Sequence, residues 1–317
     1  MRKLLVILFS LSIVLCAQAR ESFQTWLQGF KQQAVSAGIK PQFFDEIFEG
    51  MTIGHRQIHL DRTQPEKRLT FLQYRNKRAD AYRIKLGRRE YGNNKVLLQQ
   101  LGQEYGVTPS YIVSIWGLET SYGRYMGSFD VIRSLATLAY EGRREDFFRK
   151  ELVYALKILQ EGHVDRKHFK GEWAGGSGHT QFLPSSWHHY AVDHNGDGHK
   201  DIWRNKEDAL ASIANYLQLN GWQRGEPIRV QVILPHGFPE NLIGYSEKKP
   251  VSAWRAMGVR AADGWHFPRH NLEASIIHPY GGPDYMIFNN WRVIMTYNNS
   301  TFYAGTISFM ADEIVTG

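Results

Sequence analysis

Thr108-Pro-Ser-Tyr-Ile-Val-Ser-Ile-Trp-Gly-Leu-Glu-Thr-Ser-Tyr-Gly123 is the stretch on which the fold of this 317-residue chain turns. Thr108 offers a hydroxyl for a helix N-cap. Pro109 suits the first helical turn, where its missing N–H would have had no partner. From there Ile112, Ile115, Trp116 and Glu119 fall at the i, i+3, i+4, i+7 spacing of one helical face. A carboxylate therefore continues an apolar stripe. Either it leans out of the helix end to pair with an arginine, the commoner fate of a carboxylate, or it stays within the apolar surroundings of its stripe. In the second case desolvation disfavours its charged form, and the negative end of the helix dipole, expected near Gly123, pushes the same way. Both effects raise the pKa, which a general acid working near neutral pH requires.

Working outward, helical periodicity recurs in 21–35, 41–49, 94–105, 145–161 and 206–220. Within 145–161, Phe148, Leu152, Ala155, Leu156 and Leu159 form one stripe with charges opposite. Between Glu226 and Phe288 the pattern changes to short alternating runs, Ile228-Arg-Val-Gln-Val-Ile233 and Ser275-Ile-Ile-His278, broken by proline and glycine, which read as strands. Helical character returns in Phe302 to Ile314. The expectation is a mainly α (α+β) chain with a small inserted β-rich lobe. No repeat, low-complexity run or linker interrupts it.

Arg2 and Lys3, the apolar run Leu4 to Cys16 and the small residues Ala17 and Ala19 read as a signal peptide over 1–19, too short to span a bilayer of roughly 20 residues. The mature chain would begin near Arg20 in an oxidising, periplasmic compartment. Val14 and Leu15 before Cys16 argue against a lipid anchor there. Cleavage removes the only cysteine, so no disulfide staples the fold, and 43% hydrophobic residues must supply the core. The formal charge of +7 falls to +5 without Arg2 and Lys3. A basic surface suits an anionic polymer, but no nucleic-acid motif is present, and export favours carboxylate-bearing wall material over nucleic acid.

Further segments carry chemistry. Trp116-Gly-Leu-Glu-Thr-Ser-Tyr-Gly123 is followed by Gly171-Glu-Trp-Ala-Gly-Gly-Ser-Gly178 and by Thr180-Gln-Phe-Leu-Pro-Ser-Ser186. Tyr190-Ala-Val-Asp193, Asn195-Gly-Asp-Gly198, Ala214-Asn-Tyr-Leu217, Gly221-Trp222 and Tyr297-Asn298 with Ser300 and Tyr303 come after them. In this order the sequence resembles the lytic murein transglycosylases of the B type over most of the mature chain.

That resemblance implies a lysozyme-like catalytic core at 93–225, an N-terminal helical lobe at 20–92, a small β-rich lobe at 226–288 and a closing segment at 289–317. It implies cleavage of the β-1,4 bond between N-acetylmuramic acid and N-acetylglucosamine in peptidoglycan, with formation of 1,6-anhydromuramic acid and Glu119 as general acid and base. Gln181, Tyr216, Tyr297, Asn298 and Tyr303 would line the sugar cleft, where aromatic faces stack on rings and amides hold hydroxyl and N-acetyl groups. Taken singly, each tyrosine could equally be a core residue and Asn298 a turn residue. Arg143 and Arg144 match a paired arginine that would meet peptide carboxylates; as a lone pair they would read as solvated surface.

The chain departs from the family pattern at Glu172, where a small serine is usual, and at Gly176-Ser177, where bulkier residues stand. Glu172 adds a second carboxylate near the site, although the resemblance favours Glu119 alone. The alternatives are a hydrolytic muramidase on the same fold, or a non-catalytic peptidoglycan-binding protein, against which Glu119 and Gln181 together argue. Glycan strands are the expected partner, with cell-wall synthesis or remodelling proteins as further ones.

Asp193, Asn195, Asp197, Gly198, His199 and Asp201 have the spacing of an EF-hand calcium loop through position nine, but Arg204 stands at position twelve. The family has a similar loop whose last acidic ligand comes later, and Asp208 matches it. The chemistry calls for no cofactor; a structural Ca2+ held by Asp193, Asn195, Asp197, His199 and Asp208 is the expectation, with a metal-free Asx-turn loop as the alternative.

Overall fold

The computed structural model describes residues 21–63 and 69–316; the segment 1–19 read as a signal peptide, with Cys16, lies outside them, as does Arg20. The chain begins with α1 (Phe23–Ser36), α2 (Pro41–Phe48) and α3 (His55–Arg62), followed by α4 (Phe71–Arg78), α5 (Ala81–Asn93) and α6 (Lys95–Tyr105). The decisive stretch is α7 (Pro109–Thr120). After the short strand β1 (Phe129–Asp130) come α8 (Val131–Glu141), α9 (Glu145–Gln160), β2 (Lys170–Gly171), α10 (Pro184–Tyr190) and α11 (Lys206–Leu219). The β-rich part holds β3 (Arg229–Ile233), β4 (Lys249–Pro250), α12 (Val251–Ala256), β5 (Arg260–Ala261), β6 (Glu273–Ile277) and β7 (Tyr285–Ile287). Two helices close the chain, α13 (Asn289–Tyr297) and α14 (Thr301–Val315).

Helix α7 is the axis of the helical body. Pro109 opens it and Thr108 takes the N-cap position, but the Thr108 hydroxyl makes no capping hydrogen bond; its carbonyl instead accepts the Tyr111 N–H at 3.0 Å. The stripe seen in the sequence is only part of what is covered. Ser110, Val113, Ser114, Gly117 and Leu118 are buried as well, so α7 is enclosed almost all round, as a central helix must be. Helices α5, α6, α11 and α14 pack against it. Gly117 leaves room for Tyr122, whose ring would lie 2.5 Å from an added Cβ.

One continuous core links α1, α2 and α4 through α11 with α13 and α14. Helix α3 packs on α8, and α1 meets α8 where Trp26, stacked on Phe30 at 5.4 Å, stands edge-on to Tyr140 at 6.0 Å. Helices α4 and α5 instead flank α14 and α7.

The five-stranded antiparallel sheet runs β4-β6-β7-β3-β5 and has two covered faces. Along β7 the alternation is visible: Tyr285 and Ile287 face the helical core, while Met286 faces a second, smaller core built with Val230, Val232, Ile276 and Trp254. Helix α12 carries Trp254 into that second core. The sequence reading saw the strands but not this helix, because six residues span too few turns to display a period.

Candidate active site

Glu119 lies in the last turn of α7, half-buried. The helix stops abruptly beyond it. Ser121 (φ 50°), Tyr122 (φ 63°) and Gly123 (φ 81°) are three consecutive left-handed residues, a costly arrangement for the first two. Neighbours hold them there. The Arg83 Nη2 group donates to Ser121 Oγ at 2.8 Å, the Tyr122 hydroxyl donates to the Arg83 carbonyl at 3.0 Å, and the Tyr122 ring stands at 90° to Trp116. Thr120 Oγ accepts the Gly123 N–H at 2.9 Å and donates to the Trp116 carbonyl.

The Tyr303 hydroxyl, from α14, donates to Glu119 Oε1 at 2.6 Å. Burial pushes the Glu119 carboxyl up to about 7; the Tyr303 hydrogen bond and the Arg78 guanidinium pull the other way. The sequence-based direction is therefore right, and desolvation is its main cause. Arg78 does not form the ion pair that the surface reading of Glu119 required: its Nη2 donates to the Leu118 carbonyl at 3.0 Å.

Tyr303 opens a row of aromatic rings. It stacks on Tyr297 (6.4 Å, 11°), Tyr297 meets Tyr216 at 4.7 Å, and Tyr216 meets Tyr190 at 4.4 Å, with Phe182 against both Tyr216 and Tyr297. The Tyr216 hydroxyl donates to the Thr296 carbonyl, and the Tyr297 hydroxyl to the Thr180 carbonyl. The latter ties the end of α13 to the segment carrying Gln181. That glutamine is itself left-handed (φ 51°); its Nε2 donates to the carbonyls of Gly178 (2.9 Å) and Met126 (3.2 Å). Its Oε1 has no protein donor among the described residues. Asn298 follows Tyr297 at the end of α13 and is exposed. Glu119, Tyr303, Tyr297, Tyr216 and Gln181 thus form one connected group, with Asn298 at its edge.

Arg143 and Arg144 share one carboxylate and keep about half of their side chains exposed. Both guanidiniums close on Asp61 of α3, which is 2% exposed, at 2.8 Å each, and Arg144 also covers the Phe148 ring at 4.7 Å. Glu172 is exposed in a tight turn closed by its own N–H to the Gly176 carbonyl at 2.7 Å, and no side-chain hydrogen bond joins it to the Glu119 group. Residues that sequence reasoning missed include Arg78, Tyr74, Arg83 and His179. Burial lowers His179 to about 4, so its ring is neutral and Nδ1 accepts the Trp116 Nε1–H at 3.0 Å. Only the nearness of His179 to Gln181 in sequence could have drawn attention to it.

In the Asp193 loop the acidic groups accept the loop's own amides. Asp193 takes the N–H groups of Gly196, Asp197 and Gly198, and Asp197 takes that of His199. Asp208, fully buried at the start of α11, takes those of His194 and Asp201, each at 2.9 Å. Arg204 pairs with Asp201 at 2.9 Å. Among the described residues no three His, Cys, Asp or Glu side chains converge as a metal cluster.

A family model described as the transglycosylase SLT domain matches residues 22–312. The chain belongs to this family. The membrane-bound lytic murein transglycosylase B of Escherichia coli (strain K12) is 34% identical over 240 residues, covering 74% of this chain and 64% of the relative. This chain therefore spans under two thirds of that relative's length. Among solved structures, SltB3 from Pseudomonas aeruginosa in complex with NAG-anhNAM-pentapeptide is 40% identical with a TM-score of 0.90, covering 94% of this chain and 80% of that one. The Escherichia coli lytic transglycosylase SLT35 in complex with calcium is 31% identical with a TM-score of 0.79, covering 91% and 92%. The mainly helical, lysozyme-like fold expected from the sequence is the fold of these SLT relatives, and the small sheet belongs to it. Among the described residues no helix is long and apolar enough to cross a membrane.

Proposed function

We propose that this chain is a lytic transglycosylase that cleaves the β-1,4 bond between N-acetylmuramic acid and N-acetylglucosamine in peptidoglycan, with Glu119 as the sole acid and base. The carrying observation is the state of Glu119. Its carboxyl is raised to about 7 by burial, and its perturbing partners are Tyr303 and Arg78, with no second carboxylate among them. A group at that pKa is protonated often enough to donate to the glycosidic oxygen and basic enough to recover the proton.

Two-carboxylate glycosidases place the partner about 5–5.5 Å or 6.5–9.5 Å away. With no carboxylate of the described residues among the groups that act on Glu119, the charge developing at C1 is met by the substrate's N-acetyl group and the cleft's field, and the carboxylate takes the proton of the muramic C6 hydroxyl. That hydroxyl closes on C1 as an internal nucleophile, with effective molarities of roughly 10⁵–10⁸ M for well-oriented groups. Gln181, Tyr216, Tyr297, Asn298 and Tyr303 hold the sugars, and the Gln181 Oε1 atom is available to a substrate N–H or O–H. The test is clearing of purified sacculi: Glu119→Gln should fall at least 10²-fold while Glu172→Ser stays active, general acid–base help being worth about 10²–10⁴. A Glu119→Gln enzyme retaining a tenth of wild-type lysis would refute the assignment.

We assign the organisation expected from sequence, with 20–92, 93–225, 226–288 and 289–317 as its divisions, export to the periplasm by the 1–19 signal, and encounter with wall-synthesis or remodelling proteins. The loop from Asp193 to Asp208 is proposed to take Ca2+. The oxygen donors of Asp193, Asn195 and Asp197, with the His199 carbonyl and the buried Asp208, have the chemistry the ion requires. Because the loop's amides already shape it, the ion would stabilise a formed loop and take no part in proton transfer.

A further inference from the structure

Arg78 ends α4, a helix that the sequence motifs do not touch. Its Nη2 group reaches the Leu118 carbonyl at 3.0 Å, one of the last four carbonyls of α7 and therefore without an intrahelical partner. Its Nε is buried with no hydrogen-bond partner, and among the described residues no carboxylate forms an ion pair with it. The backbone of Arg78 is braced in turn, its carbonyl accepting the Arg83 Nη1 group, while the other arm of Arg83 holds Ser121. Two arginines thus grip the C-terminal turn of α7 on either side of Glu119, where the helix dipole favours cations. A guanidinium whose Nε is buried without a partner or a paired carboxylate carries a desolvation cost that its own contacts do not offset. The group whose ionised form it would meet is one residue beyond its hydrogen bond.

We propose that Arg78 is a positioning residue for Glu119: it fixes the last turn of α7 through the Leu118 carbonyl and is the standing positive charge that the Glu119 carboxylate faces each time it gives up its proton. This rests on the catalytic reading of Glu119. The groups facing that carboxyl are Tyr303 from α14, Tyr297 from α13, and Arg78 and Tyr74 from α4. The three tyrosines are raised by burial and stay neutral, and His179, which accepts the Trp116 indole N–H, is neutral as well. Among the described residues Arg78 is the charged group that acts on Glu119, Arg83 being engaged by Ser121 and the Arg78 carbonyl. Together with the Tyr303 hydrogen bond, Arg78 offsets part of the upward push that burial exerts on Glu119.

The experiment titrates Glu119 directly in the full chain, by the 13C signal of δ-labelled glutamate, assigned by its loss in Glu119→Gln. Arg78→Gln keeps a donor for Leu118 and removes the charge; Arg78→Met serves if that variant fails to fold; Arg78→Lys keeps the charge. The neutral variants should move the Glu119 midpoint upward by about one pH unit, the usual scale for an adjacent opposite charge. The lysine variant should leave it near the wild-type value. The basic limb of kcat/KM on a soluble glycan fragment should follow the same order. An unmoved midpoint in a folded neutral variant would overturn the proposal. The titration needs no turnover, so an active Glu119→Gln enzyme would remove the catalytic reading without altering this result.

Discussion

The Tyr303 hydroxyl and the Glu119 carboxyl meet at 2.6 Å across 184 positions of sequence. The contact exists because α14 lies along α7, so the end of the chain completes a site begun near its middle. Tyr303 is pushed well above its ordinary value by burial and by Glu119 itself, so it remains a donor whether the carboxyl is protonated or ionised. A hydrogen bond to the charged form favours that form.

Tyr303→Phe should therefore raise Glu119 further and shift the basic limb of the pH–rate profile upward. Hydrogen bonds to charged groups are worth about 1.5–3 kcal/mol, so kcat should fall on the order of 10- to 100-fold. A pH–rate profile that keeps its shape and height would show that this bond is incidental.

Glu119, the proposed acid and base, also bears on stability. Its folded value of about 7 exceeds the ordinary 4.5, so the native state holds a proton that the unfolded chain releases between those values. The stabilising contribution is present below pH 4.5 and lost as pH rises through 7. Glu119→Gln should consequently melt higher than wild type at pH 8 by a few degrees and near wild type at pH 4. Equal melting differences at both pH values would contradict the buried state of the carboxyl.

Arg143 and Arg144 offer a case where stability and binding can be separated. Removing both leaves Asp61 buried without a partner, and we expect a loss of about 2–3 kcal/mol, less than for a fully buried pair because both arginines are half exposed. Thermal unfolding of Arg143→Ala, Arg144→Ala measures it. A variant with unchanged melting would show that the Asp61 pairs carry no stability, and a raised KM for peptide-bearing substrate would assign the two arginines to substrate binding.

How much was legible in the sequence follows from the range of each interaction. Helix α7, the stripe of α9 and the strand alternation of β3 were readable because their patterns repeat within a few residues. The direction of the Glu119 shift was readable because an apolar stripe surrounds it on its own helix. The Arg78 bond to Leu118 spans 40 positions and the Trp116 bond to His179 spans 63, and neither leaves a period or a spacing behind. The pairing of Arg143 and Arg144 with Asp61 was hidden for the same reason, since α3 reveals nothing in sequence of the buried aspartate it carries.

Calcium should act on the fold and leave the chemistry alone. Starting from metal-free protein, millimolar Ca2+ should raise the melting temperature and a chelator should reverse it, a ligand at 100 times its Kd adding about 2.7 kcal/mol by mass action. Asp193→Ala should abolish the response. Identical melting curves with and without the ion would leave the loop as a metal-free turn.

The most direct test of the central claim is digestion of purified sacculi in 18O-labelled water followed by mass spectrometry of the muropeptides. Internal attack by the C6 hydroxyl omits water, so the account requires 1,6-anhydromuramic ends, about 18 mass units lighter than hydrolytic products and free of 18O. Reducing muramic ends carrying 18O as the main product would contradict it and make the enzyme a hydrolase.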